Sequence, residues 1–373
     1  MRAYRVLLVY QSLLALGVTT SGTFIPFFYL ERSGGLLPTI EFFLVGFAMA
    51  AAGSWALTRL PQRDSRRVMA AGVLLYAAAL PTILLLPSDT GPFPAGLAWG
   101  LMIPLFFLPL NTLTAELTKE GDRAVMLGGL FLGFTAVGIV GPTLGGFLVS
   151  VGGYAANFAF GMAVFVLAAG VLMVSPPWPA ITYRLDLRRM GARLCAGSLA
   201  QGGMEGALTL AAPAVLFTHL QSPQGLGLFL SAFAVAGGVT TILLGRISDR
   251  IRRRGRFIVL GSGLTSAAAV GVAISGDLAQ YAAANSFLQL AFVIGPLFLF
   301  TAAVDRFGHD KADAVATREV LLNSGRVIGL LAFWGVLAAG LSPLAGFGIV
   351  ALSALGMAAG SAREGTPRGN VAA

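Results

Sequence analysis

Long apolar runs constrain this 373-residue chain more than any other feature. A helix that crosses about 30 Å of hydrocarbon needs about 20 apolar residues, and in lipid its backbone polar groups must be satisfied within the segment. Twelve runs meet that length, at roughly residues 5–29, 38–59, 67–86, 94–117, 123–150, 155–175, 192–218, 225–245, 256–275, 278–303, 314–340 and 343–360. Turn residues separate them, among them Gly34-Gly35, Pro87-Ser88-Asp89, Gly152-Gly153, Pro176-Pro177, Ser222-Pro223, Gly276-Asp277 and Ser342-Pro343. Charged residues make up 11% of the chain, against about 25% in a soluble domain. The expected class is an all-α membrane protein with twelve transmembrane helices. The first run follows Arg2 and Arg5 but continues to Tyr29 without a small-x-small cleavage pattern, so it is expected to stay as a membrane helix.

The charges give the orientation. Gly245–Arg256 holds six arginines in twelve residues, which places it in water between two membrane helices. With the N-terminus inside, the even-numbered connections carry Arg63, Arg66, Arg67, Lys119, Arg123, Arg184, Arg188, Arg189, Arg252 to Arg254, Arg306 and Lys311. The odd-numbered connections carry only Arg32. This asymmetry predicts that both termini are cytoplasmic, in the inner membrane of a prokaryote. It also accounts for the net charge of +9 as membrane topology, so no nucleic-acid partner is expected. One cysteine, Cys195, excludes a disulfide framework, and His219 and His309 make no metal-ligand spacing. No cofactor and no metal are expected, and no Gly-x-x-x-x-Gly-Lys loop is present to bind a nucleotide.

The chain also repeats itself. At an offset of 192 residues Gly53 falls on Gly245, and Ile103–Leu108 falls on Gly295–Phe300. With three more residues in the next loop, Arg123–Leu127 falls on Arg318–Leu322. The paired positions include Gly, Pro and Arg as well as Leu, which argues for two related halves. The predicted organisation is a six-helix bundle over 1–175, a cytoplasmic linker over 176–191, a second six-helix bundle over 192–360 and a cytoplasmic tail over 361–373.

The loop Gly245-x-x-x-Asp249-Arg250-x-x-x-x-Gly255-Arg256 between the second and third helices of a half resembles the loop motif of the major facilitator superfamily. In the first half the pattern is eroded: Leu57 stands at the aspartate position, and Gly53, Arg59, Arg63 and Arg66-Arg67 remain. The stretch Gly141-Pro142-Thr-Leu-Gly145-Gly146 is similar to a glycine-proline signature of exporter branches. The resemblance covers essentially the whole chain. It implies transport by alternating access, with a small-molecule substrate and a proton as partners, lipid around the chain, a monomeric state and no enzymatic reaction.

Such transport needs a midplane cavity and often a titratable group inside it. Glu205 lies twelve residues past Arg193, about 18 Å along a helix. Arg326 lies thirteen residues past Asp313, about 20 Å along its own helix. Both runs start at the cytoplasmic side, so acid and base reach matched depth and are the expected proton-coupling residues. Their first-half equivalents are Leu13 and Phe131, which confines that chemistry to the second half. Glu319, Asn323 and Arg326 share a helix face that is expected to line the route of the substrate. Gln201, Asn111, Asn285 and Gln289 are further candidates for the substrate cavity. Glu116 with Arg123, and Asp249 with Arg250 or Arg318, are expected to act as ion-pair gates at the cytoplasmic ends. The leading expectation is proton-coupled export of a small amphipathic solute. The alternatives are uptake or lipid translocation with an anionic group on Arg326, and a non-transporting membrane receptor or scaffold.

Overall fold

A computed structural model of the chain describes the backbone of residues 2–61, 64–117, 123–220, 222–248 and 254–361. The side chains of residues 2–5, 117, 123–135, 239–248 and 361 fall outside the description. Among the described residues the structure is helical, with one isolated antiparallel bridge, Asp64 to Ala180. The helices are α1 (Arg2–Thr20), α2 (Ile25–Ser33), α3 (Leu37–Leu57), α4 (Ser65–Leu85), α5 (Pro92–Leu117) and α6 (Arg123–Met173) before residue 174. After it come α7 (Leu187–His219), α8 (Pro223–Ser248), α9 (Arg254–Ala273), α10 (Leu278–Phe292), α11 (Ile294–Phe307), α12 (Lys311–Ala338) and α13 (Gly346–Ser361).

Breaks in these helices follow local chemistry. A short 3-10 turn, Gly22–Phe24, joins α1 to α2 in one apolar span. In α6 the helix is interrupted at Gly153, where φ is +69°, a conformation that a side chain would strain. The chain reverses there: Asn157, past the break, donates to the carbonyl oxygens of Gly145 and Thr20 at 3.1 and 2.9 Å. Gly191, with φ +76°, likewise separates the first turn of α7 from its long apolar part. Among the described residues nine helical stretches are long and apolar enough to cross a bilayer, one of them the doubled α6. Exposed apolar side chains such as Phe147, Leu228, Leu260, Ile328, Trp334 and Leu352 coat the perimeter. The chain is an integral membrane protein.

Before the linker, α1 and α4 pack on α6, and α3 and α4 pack on α5; after it, α12 and α13 pack on α7, and α9 holds α10, α11 and α13. The halves of the chain meet where α6 crosses α8, and where α12 crosses α3 and α5. The glycine-proline stretch of α6 serves packing. A Cβ on Gly141 would meet Thr19, and one on Gly146 would meet the Pro223 carbonyl of α8. Beside it the Thr143 and Ser231 hydroxyls lie 2.8 Å apart.

At the end of the molecule that carries residues 174–186, the described residues of the two halves are tied together. Ser65 donates to the Pro179 carbonyl at 2.5 Å, and the Arg184 and Asp186 amides donate to Asp313 and Thr317 at 2.8 and 3.0 Å. The linker thus runs from the start of α4 to the start of α12. Tyr183 is buried with Leu108, Val315 and Ala316, and Leu57 and Phe300 pack on them. Lys311 donates to the Ala115 carbonyl across the same seam at 2.6 Å. Toward the opposite, far end a cavity of about 260 Å³ lies between α2 and α3 on one side and α7 and α8 on the other.

Helices α7 and α12 cross with their backbones in close contact. A Cβ on Gly202 would sit 2.0 Å from the Leu322 carbonyl oxygen, and one on Gly325 2.1 Å from that of Leu199. Backbone cannot yield as a side chain does, so Gly206→Val or Gly325→Val must separate the helices. We expect a loss above the 1–3 kcal/mol of ordinary core overpacking. Gly335→Ala, on the same helix with open space around it, is expected to be neutral or slightly stabilising. Thermal unfolding in detergent, followed by tryptophan fluorescence, distinguishes the two cases.

Candidate functional site

The glycine crossing carries the two ionisable residues read from the sequence. Glu205 stands between Gly203 and Gly206 on α7, and Arg326 follows Gly325 on α12. They touch. Arg326 Nε and Nη2 both donate to Oε2 of Glu205, at 2.9 and 2.5 Å. Arg326 Nη1 donates to Asn323 Oδ1 at 2.7 Å. The free carboxylate oxygen of Glu205, Oε1, accepts from Gln201 Nε2 at 2.7 Å. The flat face of the Arg326 guanidinium lies over the Phe47 ring of α3, 5.4 Å from its centroid, a cation–π contact. The first half of the chain therefore supplies one wall of the pair.

A second charged pair lies nearer the linker end. Arg318 Nη1 donates to Glu319 Oε1 at 3.2 Å, and Nη2 donates to Gln201 Oε1 at 2.9 Å. Its guanidinium also lies over Phe300, at 5.2 Å. Asn111 of α5 reaches Glu319 Oε1 at 3.5 Å. Gln201 is the joint between the pairs, because its oxygen accepts from one arginine while its amide donates to the other pair's acid. One chain of hydrogen bonds runs Arg326–Glu205–Gln201–Arg318–Glu319–Asn111 and crosses three helices.

The two pairs differ in access. The Arg326 and Glu205 side chains keep 20% and 18% of their surface, those of Arg318 and Glu319 only 8% and 5%. Glu205 shares a face of α7 with Thr209 and Ala212, which line the far-end cavity with Phe27 and Phe43. Thr209 stands one turn toward the cavity and donates back to the Glu205 carbonyl at 2.8 Å. The Glu205–Arg326 pair thus lies one helical turn from the cavity lining and keeps some exposed surface, while the Arg318–Glu319 pair is buried.

The other expected residues fall in several places. Glu319 and Asn323 are buried, so their face of α12 borders the sealed polar chain and no open route in this conformation. Asn285 is buried on α10, and Gln289 lies one turn further on; among the described residues no hydrogen bond joins either to the pair. Glu116 is exposed at the end of α5. The side chain of Arg123 and all of Asp249 and Arg250 lie outside the described residues, so their gating role has no geometry here. Arg318 is buried and bonds Glu319 and Gln201.

Several contributors were not read from the sequence as part of the site or its seal, among them Phe47, Phe300, Lys311 and Asp64. Phe47 and Phe300 are aromatic residues in apolar runs, where a core role is the ordinary one. Lys311 bridges the halves through a backbone carbonyl, which leaves no pattern in sequence. Asp64 accepts from the Arg66 amide at the start of α4 and pairs with the Arg66 guanidinium at 3.0 Å. Arg66 also donates to the Ser175 carbonyl in the linker. An acid before a helical run is an N-cap signal, so Asp64 was legible in principle. It lies seven residues beyond the motif position held by Leu57.

Removing one partner of a buried pair strands the other, at about 3–5 kcal/mol, whereas replacing both by neutral groups costs far less. Arg318→Met and Glu319→Gln are each expected to lower the unfolding temperature strongly. The double variant is expected to recover most of the loss. Additive losses in a double-mutant cycle overturn the pairing.

The comparisons agree at the level of architecture. No family model matches the chain. An uncharacterised protein of Bacillus subtilis strain 168, YqgE, is 21% identical over 352 residues, covering 88% of this chain and 81% of that protein. The structure superposes on a variant of the E. coli fucose:proton symporter FucP with a TM-score of 0.68 and 14% identity, covering 98% of this chain and 99% of that one. FucP in its outward conformation, described as a major facilitator superfamily transporter, gives 0.70 and 13%, covering 98% and 99%. An outward-facing bacterial homologue of the iron transporter ferroportin, soaked with iron, gives 0.70 and 14%, covering 97% and 100%. Among the described residues here, no group of three His, Cys, Asp or Glu side chains converges as a metal site would. The fold of this chain is that of the major facilitator superfamily.

Proposed function

We propose that the chain is a secondary active transporter that moves a small organic solute by alternating access and couples it to protons at the Glu205–Arg326 pair. The observation that carries this reading is an acid and a base in direct contact within long apolar helices, one helical turn from a cavity lined by residues of both halves. A receptor or scaffold has no need of ionisable groups there, where they are costly. Residues 1–175 and 192–360 are the two moving bundles, of six membrane spans each. Residues 176–191 are the strap between them, and 361–373 the tail. The basic linker end is cytoplasmic, both termini with it, so the cavity faces outward in this state. The protein acts as a monomer within the lipid of a prokaryotic inner membrane.

Alternation follows from the contacts. For the cytoplasmic side to open, Tyr183 must leave its pocket between the bundles and Lys311 must release the Ala115 carbonyl. The far side then closes over the cavity, and Glu205 and Arg326 change the water they face.

Two directions remain in view. Export was favoured by the glycine-proline stretch, which here packs α6 on α1 and α8, a use independent of direction. Uptake with an anionic group on Arg326 is supported by the exposed edge of the pair.

The test uses purified protein in liposomes with a trapped pH-sensitive dye and a library of small solutes. Wild type is expected to move protons with at least one solute, and Glu205→Gln to abolish the proton signal while leaving solute binding intact. Equal proton movement in both proteins overturns coupling at Glu205. No solute-driven signal in either, with no change of accessibility between the two ends, overturns transport itself.

A further inference from the structure

The charge balance at the pair says what kind of solute can accompany the proton. In the buried cluster Arg318 and Arg326 face Glu205 and Glu319, so the cluster is neutral when both acids are ionised. A guanidinium keeps its charge at any physiological pH. Arg326 spends Nε and Nη2 on one oxygen of Glu205 and Nη1 on an uncharged amide. A proton on that carboxylate removes the one full negative charge that Arg326 touches. At this depth an unpaired cation is strongly destabilising.

Among the described residues no other charged group is placed to compensate. On α12, Glu319 is held by Arg318. From α13, also packed on α7, Ser353 faces Gly203. On α11, Asp305 pairs with Arg254 and Arg306 reaches the Arg189 carbonyl, both at the linker end. On α2, Glu31 bonds the Tyr154 hydroxyl and Arg32 the Leu84 carbonyl, both at the far end. On α3 it is the Phe47 ring that faces the guanidinium.

Protonation of Glu205 therefore requires an anion from outside, and an arriving anion requires the proton. Each lowers the cost of the other, which is positive coupling between two ligands of one site. A cationic solute does the reverse, since it takes Glu205 and strands Arg326. The cavity above adds the remaining terms. Its walls are apolar, with Phe27, Phe43, Leu208 and Leu216, and carry the hydroxyls of Thr23 and Thr209; none of the lining side chains is charged. At about 260 Å³ it is smaller than the roughly 300–1,000 Å³ of a drug-sized pocket.

Resting on the proton-coupled reading above, we propose that the cargo is a small organic monoanion. Its anionic group replaces the Glu205 carboxylate on Arg326, its short apolar body fills the cavity, and it crosses in the same direction as the one proton that Glu205 takes up. The cycle is then electroneutral, and a proton gradient directed inward drives uptake.

The test is equilibrium binding to the full chain in lipid nanodiscs, with three probes of equal chain length: hexanesulfonate, whose charge is fixed across the pH range, hexyltrimethylammonium, and uncharged hexyl glucoside. Hexanesulfonate is expected to bind wild type more tightly as pH falls, by up to about tenfold per unit for one linked proton. Glu205→Gln is expected to bind it tightly with the pH dependence gone. Arg326→Gln is expected to lose binding. Should that variant fail to fold, Glu205→Gln with Arg326→Gln, which leaves no charge unpaired, must lose binding as well. Hexyltrimethylammonium or the glucoside binding in place of the sulfonate, or sulfonate binding that ignores pH in wild type, overturns the monoanion and leaves the transporter standing. No probe bound by wild type or Glu205→Gln, together with silent liposomes, overturns both.

Discussion

Everything at the centre of this protein depends on the α7–α12 crossing being lined with glycine. Gly202 and Gly206 on one helix face Gly325 and Gly329 on the other, and each has the partner's backbone where a Cβ would stand. In lipid no hydrophobic effect drives helices together, so close backbone contact is the main source of association. The same contact has a chemical result. Between helices at this separation Glu205 and Arg326 meet directly, with two donors on one oxygen. Larger residues at the crossing would leave the acid and the base apart, each charged in a medium that does not solvate it. Packing and chemistry here are one constraint.

The two halves of the chain divide the work unequally. The second half holds both charged pairs. The first offers Phe47 to one guanidinium and Asn111 to the lower acid, with the Phe42, Phe43, Phe47 and Trp99 rings packed together behind. An ionic contact between the halves at this depth would resist their separation, whereas a ring face and a long amide contact are weak and easily remade. Stronger direct links between the halves are found at the linker end, where Lys311 meets Ala115 and the linker crosses from Ser65 to Asp313. There water can replace what is broken.

Gln201 gives the site its internal logic. As an uncharged amide it donates to Glu205 and accepts from Arg318 at once. The partly exposed pair and the buried pair are therefore not independent, because a change in the charge of Glu205 alters the bond that Gln201 makes toward Arg318. The two pairs thus have a physical path between them through the two bonds of Gln201.

How much of this was legible in the sequence differs from feature to feature. The all-helical membrane class was, because apolar runs of fixed minimum length admit no other structure in lipid. The matched positions of Glu205 and Arg326 along their two helices were too, since rise per residue is fixed and the two side chains meet. The reversal at Gly152-Gly153 fell where turn chemistry put it. What the sequence did not decide is which faces meet. Arg318 reads as a gate charge at the cytoplasmic end of its helix, yet it is buried beside Glu319, because the linker and α5 cover that turn of α12. Asn285 reads like Asn111 and yet lies apart from the pair, because α10 packs on α8 and α9. Depth is a property of one helix and can be counted along the chain; contact depends on the rotation and spacing of two helices, which only their packing fixes.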